Sequence, residues 1–449
     1  MFYDCLSINS LDLKNFKTSE VTDMGKMFYN CQNLSSIDFS SFNTQNVESM
    51  NQMFYSCNSL KSLIGQNFDT SSVKDMGQMF YNCTSIETLN LNNFRTPSLE
   101  NMDSMFTDCT SLKSLFVDNF NTENVTNMSI CFKNCSQLKS LNLNSFKTKN
   151  IDNMEQLFYG CSSLTTLNID NFDTSNVTTM NSLFYNCKKL YPLNLNSFDT
   201  SHLTDMDNMF YYCQQLTSLD VSNFNTSNVA TMYSMFSYAG LKSLDLNSFD
   251  TRNVKNMSRM FRGCTGLTDL NVKSFDVSQV ETMSYMFESC QKILFLDLSS
   301  FNTHKVTDMT SMFSYCYKLS DLLLTNFNTS NVKSMTSMFY RCQNLTSINL
   351  DSFTGPELTS MNYMFFNCFS LSSLVMTNLG KTKVSNLANM FNGCSLLTSI
   401  NLSNFITLNA TNMNNMFYKC ISLTDLAIPD IDVNKVSTMQ GICFIIAGL

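Results

Sequence analysis

Residues 27–57 read MFYNCQNLSSIDFSSFNTQNVESMNQMFYSC, and this stretch decides the fold. Leu34, Ile37 and Phe39 follow an L-x-x-L-x-L spacing, and Ile37 and Phe39 alternate with Ser36, Asp38 and Ser40. That is the period-2 pattern of a short strand with one buried face. Phe42 and Thr44 fall in the turn that follows. Val47, Met50, Met53, Phe54 and Cys57 then recur at the spacing of a short amphipathic helix. Thr44 or the next polar residue would cap that helix, with Glu48 favoured in its first turn by the dipole. One parallel strand plus one short helix per unit predicts an α/β fold, with a sheet on one face and helices on the other.

The unit recurs. Its leading phenylalanine stands at Phe2, Phe28, Phe54 and onward to Phe417, seventeen times at a step of 26 residues, with one step of 25 between Phe236 and Phe261. A fixed period of this size marks a solenoid, in which each unit leans on its neighbours. The register is unbroken, so residues 1–449 are expected to form a single continuous array of about 17 repeats. Met1-Phe2 at one end and Ile442-Cys443 at the other stand mid-unit, and no polar capping repeat is evident. The expectation is a fragment of a longer array. Charged residues make up 14% of the chain, against about 25% in ordinary soluble domains, and Ser, Thr and Asn take the outward positions instead. A net charge of −8 argues against nucleic acid, which is held by Lys and Arg neutralising phosphates. No run of eighteen apolar residues is present to span a membrane.

The fuller word F-x-T-S-N-V-x-x-M-x-x-M-F-x-x-C-x-x-L-x-x-L-x-L runs nearly intact from Phe172 to Leu195. It resembles the BspA-like leucine-rich repeat surface proteins and the related repeats of mycoplasmal lipoproteins. One departure stands out: where the usual leucine-rich repeat has an asparagine ladder, Phe16, Phe42, Phe68, Phe94, Phe120 and Phe146 occupy the place. The resemblance covers the whole chain. It implies an extracellular adhesion or interaction protein and carries no catalytic residues.

The recurring columns have mainly structural readings. Sixteen of the 18 cysteines, from Cys5 and Cys31 to Cys420, hold one position per repeat, and Ala239 replaces the thiol in the shortened unit. A buried free thiol suits a site that accepts alanine. Disulfides are the less favoured alternative, because side chains in register point the same way. Metal binding is weaker still: there is no C-x-x-C pair, and His202 and His304 lie in different repeats. The methionine columns Met24, Met50, Met76 and Met27, Met53, Met79 read as core. Tyr3, Tyr29, Tyr55, Tyr81, Tyr159, Tyr185 and Tyr211 form an aromatic stripe, read as packing between neighbouring helices. A convex adhesive surface is the alternative reading of that stripe.

The outward centre of the strand is a column of Asn and Asp (Asp12, Asp38, Asn90, Asn142, Asn168, Asn194, Asp220, Asp245), expected to be a solubilising ladder. Calcium between Asp220 and Asp245 is disfavoured, since no ligand-rich loop accompanies them. The column is interrupted at Ile64 and Phe116. More notably, Leu294, Phe295 and Leu323 on two successive strands predict an exposed apolar spot, a candidate partner-binding patch.

No nucleophile–base set, carboxylate pair or phosphate-cradling glycine loop is present, so the chain reads as non-enzymatic, without cofactor or metal. Two functions remain: a cell-surface protein that binds protein or glycan ligands through the solenoid face, or a passive spacer displaying another region.

Overall fold

A computed structural model describes residues 1–64, 68–407, 409–427, 435–438 and 440. The chain forms two compact units, Met1–Phe224 and Asn225–Leu449, each a β-solenoid built from the same 26-residue rung. The last predicted unit, at Met439 and Ile442-Cys443, lies outside the described residues.

Most strands are three residues long with the central side chain buried, as at Ile37, Leu89 and Leu141. Ser36–Asp38 pairs in parallel with Ser62–Ile64, placing Ile37 beside Leu63. The same register of one repeat joins Thr88–Asn90 to Ser114–Phe116 and Ser140–Asn142 to Thr166–Asn168. In the second unit it joins Ser243–Asp245 to Asp269–Asn271, and Phe295–Asp297 to Asp321–Leu323. In the first unit, residues 192–195 form no strand. Pro192 stands where Thr166 stands one rung earlier, and proline has no N–H to give a ladder.

The predicted helix is absent: among the described residues there is no α-helix. Residues 50–57 form a spiral of tight turns instead. The N–H groups of Met53, Tyr55 and Cys57 donate three residues back, to the carbonyls of Met50, Gln52 and Phe54. The intervening N–H groups of Met50, Gln52, Phe54 and Ser56 donate to Asp75, Gly77, Met79 and Tyr81 of the next rung, at 2.7–2.9 Å. Gln52 (φ 57°) and Ser56 (φ 55°) are left-handed, which interrupts any helical run every fourth residue. A nine-residue helix would satisfy few of its own backbone groups and is marginal alone. The spiral satisfies them sideways, through the neighbouring rung. Burial at Val47, Met50, Met53, Phe54 and Cys57 has the same spacing in both arrangements, and that is why the hydrophobic pattern pointed to a helix.

Thr44 is accordingly not a helix cap. Its hydroxyl donates to the Asp69 carbonyl one rung on (2.9 Å), and the Thr70 hydroxyl accepts the Arg95 N–H (2.9 Å) while donating to its carbonyl (2.8 Å). Each threonine of this buried column thus staples the backbone of the next rung. Thr122 and Thr148 do likewise. Val277, also buried, holds the column position between Thr251 and Thr303. Val277→Thr restores the hydroxyl without changing shape and should stabilise the second unit by about 1 kcal/mol, the net worth of a buried hydrogen bond. Thermal unfolding measures this, and an unchanged or lower midpoint would refute the staple.

The core is made of stacked rings. Phe54–Phe80, Phe80–Phe106, Phe106–Phe132 and Phe132–Phe158 lie nearly parallel with centroids 5.4–5.8 Å apart. The turn phenylalanines form a second stack, Phe68–Phe94–Phe120–Phe146, at 5.8–6.2 Å. Phenylalanine does take the place of an asparagine ladder. Both methionine columns are buried beside these rings.

Of the described cysteines all are free, and all but Cys5 are buried. Each column thiol from Cys31 onward also has a partner: Cys57 Sγ donates to the Phe28 carbonyl and Cys109 Sγ to the Phe80 carbonyl, both at 3.1 Å.

Candidate interaction site

The outward strand face is polar because the third strand residue has work to do in the backbone. Asp38 Oδ1 accepts the Ser40 N–H (2.9 Å), Asn90 Oδ1 that of Asn92 (3.0 Å) and Asp245 Oδ1 that of Asn247 (3.0 Å). Each side chain closes an Asx turn that bends the chain out of the strand. Hydrogen bonding along the face is secondary and diagonal, as from Asn194 Nδ2 to Asp170 Oδ1 at 2.8 Å. The column predicted as a solubilising ladder is therefore first a set of turn locks. Asp220 is engaged in this way with Ser222 (3.0 Å). Among the described residues no group of three or more His, Cys, Asp and Glu is placed to hold a metal ion.

Against this polar background Leu294, Phe295 and Leu323 are exposed by 58%, 50% and 43%. Phe295 opens its strand, with Asp321 as its cross-strand partner, and Leu323 closes the next strand opposite Asp297. Phe295 and Leu323 thus lie diagonally across the outward face of a two-stranded ladder, with Leu294 exposed just before the first strand. Their backbone is fixed: the Leu294 carbonyl accepts the Ser320 N–H (2.9 Å), and the Leu323 carbonyl accepts the Leu298 N–H (3.0 Å). Beside Leu323 is a shallow depression of about 220 Å³ lined by Thr325, Asn349, Asp351 and Ser352. A charged rim closes the other side. Lys273 Nζ lies 2.8 Å from Asp297 Oδ2, and hydrogen bonds from Lys273 and Ser299 hold the Asp297 carboxyl down at about 2. An apolar centre with a polar rim is the anatomy of a protein-binding surface. Of the other interruptions, Phe116 is exposed by 43% and stands alone on its strand pair, whereas the side chain of Ile64 lies outside the described residues.

The tyrosine stripe packs rung against rung, not helix against helix. Tyr3, Tyr29, Tyr55 and Tyr81 stack at 4.6 Å with rings within 6° of parallel, and Tyr159, Tyr185 and Tyr211 repeat this at 4.4–4.5 Å. The inner rings, Tyr29, Tyr55 and Tyr185, have a tyrosine stacked on each face.

The pattern of apolar residues gave no sign of a second surface group, in which Arg259, Arg262 and Arg341 lie over tyrosine rings in the second unit. Its signal is the identity of the left-handed residues, Tyr and Arg where Asn, Ser and Gly stand elsewhere.

The sequence matches the family described as "Mycoplasma protein of unknown function, DUF285", in overlapping segments (1–118, 85–191, 111–217, 162–268, 187–295, 291–377 and 339–446) that together run from residue 1 to residue 446. The chain belongs to this family. The likeness to mycoplasmal repeats read from Phe172 to Leu195 is thereby borne out. No curated protein matches this DUF285 chain. Solved structures similar to it include a leucine-rich repeat protein from Bacteroides ovatus ATCC 8483, at 16% identity over 91% of this chain and 77% of that one, with a TM-score of 0.35. A leucine-rich cell surface protein from Faecalibacterium prausnitzii A2-165 is 14% identical over 88% and 83%, with a TM-score of 0.32. A leucine-rich repeat protein from Leptospira interrogans is 14% identical over 95% and 85%, with a TM-score of 0.27. Among the described residues of this DUF285 chain, no helix is long and apolar enough to cross a membrane.

Proposed function

We propose that this chain is a non-enzymatic interaction protein of the cell surface, which captures protein partners through the spot formed by Leu294, Phe295 and Leu323. The observation that carries the reading is the exposure of three large apolar side chains on a face otherwise closed by Asx turns. Placement at the cell surface rests on the BspA-like repeat. Protein is favoured over glycan at this spot. The patch itself is aliphatic and phenyl, suited to another protein's side chains.

The test immobilises the full chain and probes it with purified extracellular-matrix proteins and, in parallel, a glycan array. Phe295→Asp combined with Leu323→Asp should lower capture of a matrix protein roughly tenfold or more, as loss of a central apolar anchor does. The unfolding temperature should fall only slightly, because both side chains already face solvent, although each new carboxylate stands opposite Asp321 or Asp297. Saturable binding indifferent to these changes would remove the patch. No binding to any probe would leave the chain a spacer.

A further inference from the structure

Every rung places two residues in the left-handed region, at the positions of Gln52 and Ser56. In the first unit these positions mostly carry Asn, Asp, Ser, Gln and Gly, with Lys26, Ile130 and Tyr212 the bulky exceptions. Most of these are small or amide side chains, and Asn, Asp and Gly in particular tolerate that conformation. In the second unit they include Tyr238, Arg259, Tyr285, Tyr315, Arg341 and Tyr363, all with φ between 57° and 61°. Large side chains are disfavoured there. Residues held in such conformations gather at functional sites when the rest of the fold enforces them.

These six meet. The Arg259 guanidinium lies over the rings of Tyr233 (5.5 Å) and Tyr285 (5.2 Å), and Arg262 over Tyr238 (5.7 Å) and Tyr285 (5.3 Å). Arg341 lies over Tyr315 (5.8 Å) and Tyr340 (5.6 Å), and Tyr340 contacts Tyr363 in turn. Room is made for the arrangement. Gly263 is the left-handed residue beneath Tyr238, and a Cβ there would come within 2.3 Å of the Tyr238 ring. All six side chains remain half-exposed.

We infer that this Arg–Tyr face of the second unit is an interaction surface for a protein segment that presents Asp or Glu between apolar side chains. A guanidinium laid flat on a ring keeps its in-plane N–H fork turned to a carboxylate arriving at the edge. The Nε of Arg341 is covered and has no hydrogen-bond partner. Arg259, Arg262 and Arg341 concentrate positive charge here on a chain of net charge −8, and Glu288 pairs with Arg262. Tyrosine and arginine are also the residues that dominate protein interfaces. A sulfated polysaccharide fits less well. It needs closely spaced cations, and here one of three is already paired while Arg341 lies three repeats from the others.

The variant Arg259→Gln with Arg341→Asn tests this in the full chain. Gln52 and Asn367 already occupy the same two column positions, so the fold accepts both residues. The probes are arrayed 15-residue peptides in which Glu alternates with Leu or Phe, their Gln counterparts, and heparin. The wild type should retain Glu peptides over Gln peptides. The variant should lose that retention roughly tenfold while its unfolding temperature holds or rises, since Asn tolerates the left-handed backbone at position 341 better than Arg. Phe295→Asp with Leu323→Asp should leave the peptide retention intact, which separates this face from the apolar spot. Equal retention of Glu and Gln peptides, retention by the variant, or a variant whose unfolding temperature falls would overturn the inference. Capture of heparin alone would assign the face to a polysaccharide and overturn it equally.

Discussion

Raising the pH from 9 to 10 should unfold the first unit cooperatively, with thiolate absorbance appearing together with the loss of circular dichroism. Burial pushes Cys57, Cys109, Cys161 and Cys213 up to about 12, and raises Cys83, Cys131, Cys135 and Cys187 well above the ordinary value near 9. A thiol whose folded pKa is raised keeps its proton in the native state while the unfolded chain gives it up. Stability is therefore whole below pH 9 and is lost as pH climbs toward 12. Each such thiol costs about 1 kcal/mol between pH 9 and 10, so the four at about 12 together remove about 4 kcal/mol. That is comparable to the whole stability of a marginal domain. The same shift lowers the native thiolate fraction at pH 8 about a thousandfold, so alkylating reagents should label few cysteines until denaturant is added without reductant. Dichroism unchanged through pH 11, or thiolate absorbance rising while the fold persists, would sink this account.

The thiols were legible because burial is what a periodic sequence encodes. Cys57, Met53 and Phe54 recur at fixed distances from the core, and no other property was needed to place them. Hydrogen-bond destinations are not encoded that way. Whether the Phe54 N–H bonds within its own segment or to Met79 one rung on leaves the spacing of buried residues untouched, and so the turn spiral passed for a helix. A signal did exist. Gly160, Gly263 and Gly393 fall in the column that elsewhere holds Asn30, Asn82 and Asn134, and a Gly/Asn column marks left-handed backbone. The same reading would have exposed Tyr238 and Arg341 as residues out of place. Leu323 was legible for the opposite reason, since it replaces the residue that closes an Asx turn in other rungs, and Leu294 and Phe295 stand where Thr268 and Asp269 stand one rung earlier.

Phe158→Ala should destabilise the first unit by about 4 kcal/mol, in the range measured when a buried ring is truncated. Phe158 is 1% exposed and lies 5.7 Å from both Phe132 and Phe184, within 6° of parallel to each. Its removal takes away two ring contacts at once. Collapse into the gap is resisted because both flanking rungs are fixed by backbone bonds, Phe132 N–H to the Leu157 carbonyl and Phe158 N–H to the Leu183 carbonyl, each at 3.0 Å. The cavity therefore stays, and the cost includes it. In a solenoid, stability is summed from each rung and its two interfaces, so a break at Phe158 weakens the rungs on either side. Phe158→Leu, which fills much of the space, should cost less than half as much. Tyr159→Ala on the half-exposed neighbouring stripe should cost about 1 kcal/mol, the worth of an aromatic pair beyond its buried area. Denaturant unfolding of the three variants ranks them, and a Phe158→Ala loss no larger than that of Tyr159→Ala would mean that the ring stack does not hold the rungs together.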